Sequence, residues 1–263
     1  MKKTVSFSKQ SKNIFFHILT NCNLKCRHCY INKEQHGSQT LPLDIVCTWL
    51  GAFTGGDAEA NLVLLGGEPS LHPDLADIVK DAKDKGYASI TIDTNGYLFN
   101  DILNRVTPRE VDYFSFSLDG PTADENDRIR GQGSFATCVD GIEAARAKGF
   151  NTSLIYTVSR SNLKGLEGMV PLVEELSVDR FFIQVIGLRG KSAGPNAGTS
   201  GHHIQQVTYK EWMSVIPHVA QQVAESGTAV TYPKVYLGPD ETFACAGVVA
   251  DNYFIFPNGR VYR

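Results

Sequence analysis

An α/β fold built around a largely parallel sheet is predicted by three features of the 263-residue sequence. Short runs of apolar, β-branched and aromatic residues alternate with longer segments whose apolar residues recur at helical spacing. The runs are nearly continuous in apolar character, as in strands covered on both faces. Gly and Pro stop signals, such as Gly86 and Gly149, close most of the helical segments.

Taken in order, the strand-like runs are Ile14 to Leu19, Leu62 to Leu65, Ser89 to Ile92, Tyr113 to Ser117, Ser153 to Val158 and Phe181 to Ile186. Between them, Leu43 to Phe53, Asp74 to Lys85, Leu98 to Val106, Phe135 to Lys148 and Leu163 to Leu176 carry the helical period. Six βα units fall short of the eight of a closed barrel, so a partial barrel and a doubly wound sheet both remain. In either one, ligands collect at the C-terminal ends of the strands. The pattern then changes. Gly187 to Gly201 reads as a long loop rich in Gly, Ser, Lys and Asn, followed by a helix over Tyr209 to Ala224. A strand at Ala229 to Tyr232 comes next, then a hairpin from Tyr253 to Phe256 through Pro257-Asn258-Gly259 into Arg260 to Tyr262. The expected organisation is an N-terminal arm over residues 1–13, a barrel over 14–204 and a small α+β appendage over 205–263.

Charge narrows the partners. Twenty-five Lys and Arg against 28 Asp and Glu give a net charge of -3, without a dense basic run, which argues against a dedicated nucleic-acid or anionic-membrane binder. The first apolar run is too short for a signal segment or a spanning helix. A cytoplasmic setting is therefore expected, with cysteines acting as ligands or core residues and not as disulfides.

Directly after the first strand, Cys22, Cys26 and Cys29 stand in a polar loop with spacing CxxxCxxC. Three thiolates at this density repel one another unless a cation neutralises them, so the loop reads as a metal site. His28 or His36 could complete a four-ligand zinc site, although the backbone beside a ligand cysteine hinders His28. An iron-sulfur cluster held by three cysteines would leave one iron open, and the spacing favours that alternative.

With an aromatic residue, His28, just before the last cysteine, this segment resembles the radical S-adenosylmethionine (SAM) superfamily. The resemblance implies a partial (β/α)6 TIM-like barrel, with Cys22, Cys26 and Cys29 holding a [4Fe-4S] cluster whose unique iron chelates SAM. Other strand ends agree with it. Gly66-Gly67-Glu68-Pro69 matches the family's GGEP, which binds the SAM amino group, and the two glycines allow close backbone approach to a ligand. Thr94-Asn95-Gly96 matches the TNG turn near the SAM site, while Asp93 before it has no assigned role. Ser117-Leu118-Asp119-Gly120-Pro121, Asn126 to Arg130 and Gly133-Ser134-Phe135 match the run found in members with a C-terminal SPASM or twitch extension. By that resemblance Ser117 meets the ribose and Arg130 pairs with the methionyl carboxylate. Asn126 replaces the usual His and cannot carry a proton near neutral pH. Asp119 is read as a turn cap. Val185 or Ile186 is placed to pack on adenine, and His28 and Tyr30 are placed beside the cofactor.

Cys245 begins a SPASM-like spacing of thirteen residues, Gly259 and four more residues, which sets the second cysteine at a position one beyond Arg263. A truncated or excerpted piece of a longer protein, with an auxiliary iron-sulfur cluster in the missing part, is the expectation. Cys47 and Cys138 are expected in the core. The resemblance implies reductive SAM cleavage on a peptide or protein substrate, with haem or another small molecule as the second possibility. A zinc-stapled binding module is the non-enzymatic one. Because so little precedes Ile14, a leader-binding partner would be a separate protein. A reductant such as flavodoxin or ferredoxin is required.

Overall fold

The computed structural model describes residues 11–55, 59–187, 190–193, 206–238, 240–242 and 250–263. Nine strands are described in one sheet: β1 (Ser11–His17), β2 (Glu59–Leu65), β3 (Ser89–Thr94), β4 (Tyr113–Ser117), β5 (Thr152–Val158), β6 (Arg180–Val185), β7 (Ala229–Thr231), β8 (Asp251–Ile255) and β9 (Val261–Tyr262). Their spatial order is β7-β6-β5-β4-β3-β2-β1-β8-β9, an open sheet, with every pairing parallel except β8 with β9. The helices described are α1 (Lys33–His36), α2 (Leu43–Gly51), α3 (Leu75–Asp84), α4 (Ile102–Arg105), α5 (Ala123–Arg130), α6 (Ser134–Ala147), α7 (Met169–Glu175) and α8 (Tyr209–Glu225). Among the described residues no helix is long and apolar enough to cross a membrane.

Alternation along the strands separates two faces. Ile14, Phe16, Leu62, Leu64, Ile90, Ile92, Phe114, Phe116, Leu154 and Ile183 are all fully buried, and the ring of Phe16 lies 6.0 Å from that of Trp49 on α2, which marks this as the helix-covered face. The opposite face is far more polar than continuously apolar strands would allow. It carries Asn13 and His17 on β1, Asn61 on β2, Ser89, Thr91 and Asp93 on β3, Ser115 and Ser117 on β4, Thr157 on β5 and Gln184 on β6. Apolar side chains share this face, Phe15 on β1 stacking on Phe254 at 4.7 Å and Val63 on β2 being buried.

Toward the N-terminal ends of the strands, this inner face is crossed by a buried hydrogen-bond ladder. Ser89 Oγ donates to Asn61 Oδ1 at 2.7 Å, Asn61 Nδ2 to Asn13 Oδ1 at 3.2 Å, and Asn13 Nδ2 to Asn252 Oδ1 at 2.8 Å. Each amide satisfies the next, which is what makes four buried polar residues tolerable. Asn252 lies on β8. The tail, expected as an appendage, thus extends the sheet at both edges, β7 on β6 and β8 on β1, because both edges offer unpaired backbone.

Smaller departures have local causes. The first strand starts at Ser11, inside the expected arm. The expected helix over Leu98 to Val106 shrinks to the single turn of α4, since Leu98, Asn100 and Asp101 adopt positive φ. Leu163–Gly168 forms a 3-10 turn before α7. The loop positions 194–200 and Cys245 lie outside the described residues.

Candidate functional site

The cysteine loop leaves β1 and is held by backbone from several elements. Gly67 N–H donates to Leu19 O at 3.1 Å, Glu68 N–H to Asn21 O at 2.9 Å, Arg27 N–H to Ile129 O at 2.9 Å and Lys191 N–H to Cys29 O at 3.0 Å. A Cβ at Gly67 would fall 2.2 Å from Asn21 O, and one at Gly66 2.7 Å from Leu19. The glycines expected to admit a ligand therefore first admit the cysteine loop. Gly67→Ala is expected to displace that loop, costing about 1–3 kcal/mol and lowering the iron and sulfide retained after anaerobic reconstitution. Retention equal to the parent protein would contradict this.

The Glu68 carboxylate is fully buried and faces inward to protein groups. It accepts from Ser70 N–H at 3.0 Å, Ser70 Oγ at 2.6 Å, Thr94 Oγ1 at 2.9 Å and Asn95 N–H at 2.7 Å. Burial raises its pKa, with these bonds working against the rise. Thr94 and Asn95 are thereby joined to Glu68. Asn95 does more than sequence reading assigned to it: its Nδ2 donates to Asn23 Oδ1 at 2.8 Å and reaches Cys22 Sγ at 3.8 Å.

Cys22 is pushed up to about 11 by burial, and the neighbouring Glu68, Cys26 and Cys29 charges add to the rise. Cys26 is raised as well, mainly by burial, against the pull of Arg130. Such thiols do not ionise near neutral pH without a cation to stabilise the thiolates. The two histidines offered by the sequence for a zinc site turn to other groups. His36 is buried, its Nδ1 accepting from Asn32 N–H at 3.0 Å and its ring stacked 4.0 Å from Phe256. His28 Nε2 lies 3.2 Å from Asp119 Oδ2. Among the described residues, three cysteines whose neighbouring histidines are drawn to Asn32 and Asp119 fit a [4Fe-4S] cluster with one open iron better than a closed zinc tetrahedron.

Asp119, read from sequence as a turn cap, is instead a buried carboxylate shared by three elements. Its Oδ2 lies 2.6 Å from Arg130 Nε on α5 and 3.2 Å from His28 on the cysteine loop, while its Oδ1 accepts from Thr157 N–H of β5 at 2.7 Å. Arg130, expected to face a carboxylate of the cofactor, has its Nε edge committed to this internal one. Asn126 Oδ1 accepts from Asp119 N–H at 2.9 Å and its Nδ2 donates to Ser134 Oγ at 2.9 Å, a tethering role that needs no titratable ring. Asp127 caps α6 by accepting from Gly133 N–H and Phe135 N–H. The long motif after β4 is thus locked by its own side chains.

Four further positions complete the survey. Tyr30 directs its phenol at His17 Nε2, 2.6 Å away, and His17 Nδ1 lies 3.2 Å from Ile255 O. Burial drops His17 to about 3, so the ring is neutral, donating to Ile255 O through Nδ1–H and accepting from the phenol. Ser117 lies at the inner-face end of β4, and Pro69 is buried at the turn after Glu68. Val185 shares the helix-facing side with Phe181 and Ile183 and packs on the core, whereas Gln184 takes the inner face and donates to Thr157 Oγ1 at 2.8 Å. Cys138 is buried, as expected, and Cys47 is half-buried. The partner of Tyr30 and the hub at Asp119 had no sequence signal beyond a polar residue at a strand end.

The chain is 28% identical over 195 residues to the Fe-coproporphyrin III synthase of Methanosarcina barkeri, covering 71% of this chain and 47% of that protein. It is 27% identical over 235 residues to a probable GTP 3',8-cyclase of Saccharolobus islandicus, covering 86% and 74%. Among solved structures, Streptococcus suis SuiB bound to precursor peptide SuiA superposes with a TM-score of 0.73 at 14% identity, over 97% of this chain and 60% of that one. The chain therefore spans about half to three fifths of two of these relatives. Residues 16–170, which run from β1 past the cysteine loop, GGEP and the Asp119 hub to the start of α7, match the Radical SAM superfamily, and the chain belongs to that superfamily.

Proposed function

We propose that this chain, on its own or within a longer protein, cleaves SAM reductively and uses the product to take a hydrogen atom from a peptide or protein substrate, as a maturase does. When bound, the cluster and SAM supply a 5'-deoxyadenosyl radical after one-electron reduction of the sulfonium. Cys22, Cys26 and Cys29 hold the cluster, with Asn95 beside the first of them. Glu68 fixes Thr94 and Asn95 at the cofactor edge, and the GGEP backbone receives the SAM amino group. Ser117 is placed for the ribose, and the part of the Arg130 guanidinium not facing Asp119 is placed for the methionyl carboxylate. His28, Tyr30 and Pro69 border this region. The inner face below it presents the substrate.

The observation that carries the peptide reading is the polarity of that face near the strand ends: Asp93, Ser115, Thr157 and Gln184 offer donors and acceptors suited to amides. SuiB, solved with its precursor peptide, spans nearly the whole chain in superposition, which supports the same reading. Haem or another small molecule is the second reading, favoured by the Fe-coproporphyrin III synthase and GTP cyclase relatives. Membership of the SPASM branch, an auxiliary cluster at Cys245, a separate leader-binding protein and a cytoplasmic location belong to this proposal. The test is anaerobic reconstitution with iron and sulfide, then dithionite and SAM, assayed for 5'-deoxyadenosine. The parent is expected to be brown and to yield it, and Cys26→Ala to yield none. A colourless parent that leaves SAM intact would overturn the proposal.

A further inference from the structure

Glu68, Asp93 and Asp119 stand at the C-terminal ends of β2, β3 and β4. Two of these carboxyls are committed within the protein. Glu68 accepts four hydrogen bonds from Ser70, Thr94 and Asn95, and Asp119 is shared by Arg130, His28 and Thr157. Asp93 differs. It lies on the inner face of β3 opposite Ser115, accepts a hydrogen bond from it, and stays partly accessible. Two residues further along the same face, about 7 Å by strand rise, Asn95 Nδ2 reaches Cys22 Sγ at 3.8 Å. His17 on β1, Tyr113 on β4 and Arg180 on β6 share this face. His17 is neutral and held between Tyr30 and Ile255 O, and the Arg180 guanidinium lies over the Tyr113 ring at 4.9 Å. Among the described residues no cation pairs with Asp93, and the one charge acting on it is that of Glu68.

We infer that the Asp93 carboxyl is the protein's counter-charge for the sulfonium of SAM, keeping its proton while no cation faces it and releasing that proton when SAM binds. The inference rests on the proposed SAM chemistry. SAM carries three charges. With its amino group received by the GGEP backbone and its carboxylate by Arg130, the sulfonium is the one left without a protein partner. Glu68 cannot take it, because both of its oxygens are occupied and the side chain is fully buried. Burial lifts Asp93 to about 7, and the Glu68 charge adds to the rise. At pH 6 about nine-tenths of such a group is protonated. A cation brought beside it in this low-dielectric setting favours the anion. The coupling runs both ways, so the ionised carboxylate tightens the hold on the sulfonium. Once cleavage turns the sulfur into a neutral thioether that attraction is gone, which favours release of methionine and return of the proton.

The test is anaerobic titration calorimetry on the cluster-loaded full chain, with the cluster oxidised so that no SAM is cleaved. Running it at pH 6 in two buffers of different ionisation enthalpy counts the protons released. The ligands are SAM and S-adenosylhomocysteine, which keeps the amino and carboxylate groups but has a neutral sulfur. SAM is expected to release roughly 0.8 of a proton more than S-adenosylhomocysteine. The ratio of the two affinities should rise about fivefold in favour of SAM between pH 6 and pH 7. Asp93→Asn should bind S-adenosylhomocysteine as the parent does, lose the extra proton, and bind SAM about tenfold more weakly at pH 7. Equal proton release by the two ligands in the parent, a comparison that needs no variant, would overturn the counter-charge while leaving the proposed function standing. An extra proton that persists in Asp93→Asn would do the same. If the loaded parent binds neither ligand, the proposed function falls, and this inference with it.

Discussion

Asp119→Ala is expected to destabilise the protein by about 3–5 kcal/mol, the largest single loss the structure predicts. The carboxylate is fully buried, Arg130 is only 9% exposed, and their contact is 2.6 Å. Removing one partner leaves a guanidinium buried without its counter-charge, and Thr157 N–H without its acceptor. Because His28 and Arg130 come from the cysteine loop and from α5, the loss should also loosen the loop and reduce cluster retention. Asp119→Asn keeps an acceptor for Thr157 but not the charge, and should fall between. Urea unfolding of the three proteins, with iron content alongside, measures both effects. A cost below about 1 kcal/mol for the alanine variant, the size typical of exposed pairs, would show that Arg130 finds water or another partner.

Asp93 should make stability depend on pH. It sits on the inner face of β3 opposite Ser115, ringed by protein and still partly accessible. Burial lifts it from 3.8 to about 7, the hydrogen bond with Ser115 works against the rise, and the nearby Glu68 charge adds to it. A carboxyl that stays protonated in the folded chain while ionised in the unfolded one takes up a proton on folding. Its contribution is therefore fully present below the unfolded value near 4, and is lost as pH rises toward 7. Each pH unit in that window costs up to about 1.4 kcal/mol. Asp93→Asn cannot ionise, so between pH ~5 and ~7 the parent should lose roughly 2–3 kcal/mol relative to the variant. Parallel pH profiles for the two proteins would show that Asp93 titrates normally.

Much of this architecture was legible in the sequence because it is local. Runs such as Tyr113 to Ser117 and the helix at Tyr209, with its Thr208–Glu211 capping box, carry their own signals. The cysteine spacing and GGEP are local too. What was not legible depends on partners far along the chain. Asp119 meets His28 and Thr157, Asn13 meets Asn252, and Tyr30 meets His17 beneath the β8 backbone. No neighbouring residue announces these pairings. Asn13, Asn61 and Asn252 stand just before the apolar runs that begin at Ile14, Leu62 and Tyr253, so the sequence marked neither their place in a strand nor their partners. The same limit made the tail look separate, since the edge that accepts β8 belongs to the first strand.

That last pairing has a consequence for how the chain reaches its native state. β8 joins β1 through residues some 239 positions apart in the chain, as between Asn13 and Asn252. During synthesis the β1 edge has no partner until almost all of the described chain has left the ribosome, and Phe15, which stacks on Phe254 at 4.7 Å, has no ring to cover it. So distant a closure is slow, and the waiting edge offers its backbone to other chains. Stalled or interrupted translation before β8 should therefore yield aggregates templated on β1, rather than a smaller folded barrel.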